Sequence, residues 1–110
     1  MKIEDRLKKI LSILDARFVA FVTETGDLIS SLPDKPSGVS MDIIISLIRT
    51  VIMTEKAEQT ELREILCTGL SSRIAMARMK YESLKGFLVV GMGEDFDILA
   101  MRGVLRQVGG

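Results

Sequence analysis

The chain contains no histidine and a single cysteine, Cys67. A lone cysteine excludes an internal disulfide, and without histidine it cannot build a common zinc site. A nucleophilic cysteine also needs a basic partner to lower its thiol pKa, and no histidine is there to serve. Charge of one sign is equally missing: fifteen Lys and Arg balance fifteen Asp and Glu. A nucleic-acid partner normally calls for a basic excess, so that class is disfavoured. No apolar run approaches the ~20 residues needed to span a bilayer. The opening MKIEDRLKK carries acids and no apolar core, unlike a signal peptide. Aromatic residues make up only 5%, little material for lining a ligand cavity. No repeat or low-complexity segment occurs. These absences describe a cytoplasmic, metal-free and cofactor-free chain.

What is present is an ordinary globular balance, 47% hydrophobic and 27% charged in 110 residues. That length suits one domain, residues 1–110, with a real core. Its most apolar stretch is SMDIIISLIRTVIMTEKAEQ, residues 40–59. On a helical wheel Met41, Ile43, Ile44, Ile45, Leu47, Ile48, Val51 and Ile52 fill roughly 200°, against the ~100° stripe of a surface helix. Ser40 is the expected N-cap, and Asp42 suits the positive end of the helix dipole. Asp42, Ser46, Arg49, Thr50 and Lys56 hold the polar side. The excess shoulder is Ile43, Leu47 and Val51. Either the helix is wholly buried in its own core, or that shoulder packs on a partner subunit.

The remaining elements follow in order. Residues 2–15 read as a helix with Ile3, Leu7, Ile10, Leu11 and Leu14 inward. RFVAFVT, residues 17–23, is apolar on both faces and reads as a central strand. Gly26 permits a tight turn into a more polar strand at 28–32. PDKPSG leads into the long helix. Strands are expected at 62–68, 73–80 and 86–92, the last again apolar on both faces. A final helix is expected over 94–108, with Phe96, Leu99, Ala100, Gly103 and Val104 inward and Gly103 permitting close approach to the sheet. The order helix, two strands, helix, three strands, helix implies an α+β fold. Its antiparallel sheet has helices on both faces, with 17–23 and 86–92 innermost and 28–32 and 62–68 at the edges.

Chemical motifs are scarce. Gly91-Met92-Gly93 precedes a helix start, but Glu94 and Asp95 follow where a phosphate would sit, so a structural turn is favoured. Glu4/Asp5 and Glu94/Asp95 read as solvated or helix-end charge rather than an acid/base pair. Cys67 reads as a buried strand residue. Arg63, Arg73, Arg78 and Lys80 are candidates for a basic, solvated or salt-bridged sheet surface, and nothing in their spacing selects an arginine finger. The internal methionines read as core fillers except Met53. It shares the polar arc of the long helix with Arg49, and the two are candidate partner contacts.

The element order, the FVAFVTETGDLISS hairpin, the long apolar middle helix and the ending FLVVGMGEDFDILAMRGVLRQV together resemble the Roadblock/dynein light-chain family and its prokaryotic MglB-like relatives. The resemblance covers nearly the whole chain. Related longin and profilin-like folds share much of the layout. The resemblance implies a five-stranded antiparallel sheet, with the middle helix on one face and the terminal helices on the other. It further implies a dimer through the third strand and middle helix. That places Ile43, Leu47, Val51, Leu62, Glu64, Leu66 and Thr68 in an interface with a second copy or a paralogous chain. The implied role is a non-catalytic scaffold or regulator for a small Ras-like GTPase or a larger signalling or motor complex. The competing class is a small-molecule sensor of profilin- or PAS-like fold; an enzyme is disfavoured for want of catalytic groups.

Overall fold

A computed structural model describes residues 2–14, 16–33, 41–68, 73–92 and 98–109. The elements run α1 (Ile3–Leu14), β1 (Phe18–Thr23), β2 (Leu28–Leu32), α2 (Met41–Glu58), β3 (Glu64–Thr68), β4 (Arg73–Tyr81), β5 (Leu84–Met92) and α3 (Ile98–Gly109). The strands form one antiparallel sheet in the order β2-β1-β5-β4-β3. The expected architecture is therefore present, with the two doubly apolar strands inside and the polar ones at the edges.

Strand alternation divides the core in two. Val19, Phe21, Ala75, Ala77, Met79, Leu88 and Val90 face α1 and α3, which contribute Ile3, Leu7, Ile10, Met101 and Val104. Phe18, Ala20, Val22, Ile74, Met76, Phe87 and Val89 face α2, which contributes Ile44, Ile48 and Val51. Every residue of β1 is buried because both faces are covered. Gly91 lies opposite Phe18 in the β1–β5 register, and a Cβ on Gly91 would sit 2.0 Å from the Phe18 ring. The Gly91-Met92-Gly93 motif thus has a packing reason at its first glycine; Gly93 lies outside the described residues.

The turns follow from local hydrogen bonding. Gly26 adopts φ +96°; its amide donates to the Thr23 carbonyl at 3.0 Å, and the Thr23 amide donates to the Asp27 carbonyl at 2.9 Å. The Asp27 amide donates to the Thr23 hydroxyl at 3.0 Å. At the end of α2, Gln59 takes φ +52° and the Thr60 amide donates back to the Glu55 carbonyl at 3.1 Å, a Schellman closure without the usual glycine.

Three expectations need correction. The third strand begins at Glu64 rather than at residue 62, because the Leu62 amide donates to the Glu55 carboxylate at 2.8 Å instead of entering the sheet. The fourth and fifth strands extend to Tyr81 and from Leu84, leaving Glu82 and Ser83 as a two-residue turn. Among the described side chains of α3 the inward ones are Met101 and Val104, whereas Leu99 is 76% exposed and no described atom lies within 4 Å of where a Gly103 Cβ would be. The expected inner face was thus rotated too far toward Leu99 and Ala100. Ser40, Phe96, Glu94 and Asp95 lie outside the described residues.

Candidate interaction surface

The middle helix packs through Ile44, Ile48 and Val51, the i, i+4, i+7 stripe of an amphipathic helix. Val51, expected on the uncovered shoulder, is buried against the chain's own sheet because it completes this stripe. Leu47 is half-buried and packs on the same cluster, together with Leu62, Ile65 and Cys67. Ile43 remains 51% exposed. The shoulder therefore narrows to Ile43 and the outer side of Leu47.

β3 is an edge strand of the sheet. Its register with β4 pairs Glu64 with Ala77, Leu66 with Ala75 and Thr68 with Arg73, so these three residues share the face toward α1 and α3. Ile65 and Cys67 point to the α2 face. Leu66 is 39% exposed. Glu64 is fixed within the chain: its carboxylate accepts from Nε of Arg102 and from Nε of Arg106, each at 3.2 Å. Apolar and polar groups thus flank the β3 edge above and below the sheet. Met53 and Arg49 lie exposed on α2.

A second feature escaped the sequence reading. Arg78 sits on the α2 face of β4, following Ile74 and Met76 in alternation. Its guanidinium donates to both carboxylate oxygens of Glu55 and to Oε1 of Glu24 at 2.7 Å. Glu61 approaches to 3.8 Å, and the guanidinium lies 4.9 Å from the Phe87 ring centroid. The Glu55 side chain is 10% exposed. Its carboxyl is held below the usual value of 4.5, chiefly by the Arg78 hydrogen bond and, against the cost of burial, also by the Leu62 amide. Glu55, and after it Glu24, in turn push the Arg78 pKa up, against the effect of burial. An open cleft of about 470 Å³ lies here, lined by Glu24, Glu55, Thr60, Glu61, Arg78, Met79, Lys80, Lys85 and Gly86.

Of the readings offered for Arg63, Arg73, Arg78 and Lys80, Arg78 takes the salt-bridged one, and no single basic sheet surface forms with Arg73. Arg73 alternates onto the face opposite Arg78, and Arg78 itself is neutralised by glutamates. Two signals pointed to it. Arg78 continues an inward strand pattern, and Glu55 continues the inward helix stripe one turn beyond Val51; charges at such positions require partners. Cys67 is half-buried, and burial pushes its thiol pKa up, away from reactivity. Met76, Met79, Met92 and Met101 are buried, whereas Met53 is 70% exposed. Among the described residues no cluster of acidic or cysteine side chains could hold a metal ion, and no helix is long and apolar enough to cross a membrane.

No family model matches the sequence, and no curated protein does. Solved structures do match. MglB with a tetrameric arrangement superposes with a TM-score of 0.74 at 12% identity, covering 96% of this chain and 84% of that one. MglC from Myxococcus xanthus gives 0.70 at 15% identity over 99% of this chain and 94% of that one. A Roadblock/LC7 domain from Streptomyces avermitilis gives 0.70 at 13% identity, covering 98% and 95%. The chain has an α+β fold of the Roadblock/longin kind. Within that kind its fold is the one seen in MglB, MglC and the Roadblock/LC7 domain.

Proposed function

We propose that this chain is a Roadblock/MglB-like protein, a single-domain dimer that acts as a non-catalytic platform for a small Ras-like GTPase. The observation that carries the reading is β3, an edge strand whose Leu66 is 39% exposed on the α1/α3 face, together with Ile43, 51% exposed on α2 across the sheet. Exposed apolar side chains and open backbone hydrogen-bonding groups at a sheet edge favour association over solvation. The sensor alternative has less support. The space between α2 and the sheet is filled by Phe18, Phe87, Ile44, Ile48 and Met76, each at most 1% exposed, and the cleft at Arg78 is open and lined mainly by charged residues. In this reading a partner GTPase is recognised by surface complementarity, and any change in its hydrolysis comes from ordering its switch loops.

Two measurements test the two halves. Light scattering should give a dimer for the native chain. Affinity capture from its source lysate, loaded with GDP or a non-hydrolysable GTP analogue, should enrich a Ras-like GTPase in one nucleotide state. Capture of no nucleotide-binding protein in either state rejects the GTPase half while leaving the dimer standing.

A further inference from the structure

We propose that the open cleft at the end of the β4–β5 hairpin takes an isolated acidic side chain of a partner protein, its carboxylate bridging Lys80 and Lys85. The site stands apart from the dimer and the GTPase proposed above and depends on neither.

The backbone brings the two lysines together. Lys80 pairs with Lys85 in the β4–β5 register. The Arg78 amide donates to the Arg63 carbonyl, away from β5, and along a strand these directions alternate. Lys80, two residues on, likewise turns its amide away from β5. Lys80 and Lys85 therefore form a non-hydrogen-bonded pair, the closer kind, with Cα atoms ~4.5 Å apart. Both continue the alternation of Arg78 and Phe87, so they share the α2 face of the sheet.

Two ammonium groups directly opposite one another destabilise a sheet. Their surroundings do not relieve them. Arg78, the neighbouring cation on that face, is closed off by Glu55 and Glu24. Glu61, 69% exposed, reaches Arg78 at 3.8 Å. Among the described residues neither Lys80 nor Lys85 forms an ion pair. Both are exposed, and both line the cleft of about 470 Å³ together with Thr60 and Gly86. The chain thus carries a repulsion that a negative charge from outside would relieve.

The same cleft limits what that charge can be. Glu24, Glu55 and Glu61 also line it, so a polyphosphate or a run of acids would set like charges against them. A single carboxylate avoids that conflict, and its two oxygens can accept one charge-assisted hydrogen bond from each ammonium. A flat anionic bilayer is a poor match for a concave surface shared with the exposed Glu61. The occupant is therefore an aspartate or glutamate among uncharged neighbours on a polypeptide.

Heteronuclear NMR titration of the native chain with the peptide acetyl-Gly-Ser-Glu-Ser-Gly-amide tests this, with its glutamine counterpart as control. The glutamate peptide should shift the backbone amides of Thr60, Lys80, Lys85 and Gly86 to saturation, and the glutamine peptide should not. Salt raised toward ~1 M, where the Debye length falls to ~3 Å, should reverse the shifts. Lys80→Gln and Lys85→Gln should each weaken binding about fivefold, the upper end for one exposed ion pair. Each should also raise the thermal midpoint of the unliganded chain, because the cross-strand repulsion is gone. A purely structural residue would not lose binding while gaining stability. Equal shifts with the glutamine peptide, or full affinity in the double variant Lys80→Gln/Lys85→Gln, overturn the proposal. Free acetate binding as tightly as the glutamate peptide overturns the polypeptide occupant. Tighter binding of hexaglutamate would make the cleft a general anion surface, and Lys80-dependent capture by phosphatidylserine vesicles a membrane contact; either also overturns it. A fall in thermal midpoint for both single variants would show that the opposed lysines carry no repulsion, and the site would lose its basis.

Discussion

At the scale of single residues, two glycines of the same chain should respond oppositely to one added methyl group. Gly91→Ala drives a Cβ to 2.0 Å from the Phe18 ring in the middle of the sheet. Overpacking of this kind costs about 1–3 kcal/mol. Gly103→Ala meets nothing within 4 Å on the exposed side of α3, and should gain about 0.5–1 kcal/mol from helix propensity. Thermal unfolding of both variants checks the pair: the midpoint should fall for Gly91→Ala and rise for Gly103→Ala. Gln59 is a third case. It holds a left-handed conformation that costs a side-chain-bearing residue roughly 1–2 kcal/mol. Gln59→Gly should therefore raise the midpoint as well. The role of Gly103 was not legible in the sequence. A glycine on a helix signals close approach or simple tolerance equally well, and only the rotation of α3 decides between them. Gly91 was legible only as a turn, since the Phe18 ring that requires it lies in a strand from the other end of the chain.

Individual elements were legible wherever one periodicity dominated. The doubly apolar β1 and β5 announced their central places, and the serines of β2 its place at an edge. Reading α3 was harder because apolar residues occur on two of its sides. Leu99 competes with Met101 and Val104, and local sequence does not say which stripe meets the sheet. The clasp between α2 and β4 was hidden for another reason: Arg78, Glu55 and Glu24 converge from three distant segments, and pattern reading treats each charge alone. That clasp makes stability depend on pH in a defined direction. The Glu55 carboxyl titrates below its unfolded value of 4.5, so its contribution is present above that value and is lost as the pH falls through the folded-state pKa. Urea unfolding should show stability declining below pH 4.5, and Glu55→Gln should flatten that decline. Glu55→Ala should cost about 3 kcal/mol at neutral pH, the low end for breaking a buried pair, since Glu24 still holds Arg78.

For the molecule as a whole, the shoulder of α2 supplies the cleanest perturbation. Ile43→Glu places its charge on a position 51% exposed in the single chain, so the fold should survive. In the dimer proposed above, with Ile43 in its interface, the same charge would be buried without a partner. Light scattering should then report a folded monomer, with circular dichroism unchanged. Leu47→Glu is a poorer probe, because Leu47 also packs on the chain's own core. The central and edge strands were legible from their apolar patterns, whereas the burial of Val51 was not. The wheel counted Val51 as surplus because it measures the width of an apolar arc and not the depth of the sheet beneath it.

The sheet order also bears on how the chain is made. Its middle strand, β5, is synthesised after the other described strands, and it sits between β1 and β4. Phe18 finds its neighbour only when Gly91 has left the ribosome. Until then β1, apolar on both faces, has β2 along one edge and nothing along the other. Emerging chains should therefore pass through a long interval in which β1 is exposed to chaperones or to self-association. Arrested nascent chains ending before β5 should be protease-sensitive throughout, and those extending well past it should become resistant in a single step.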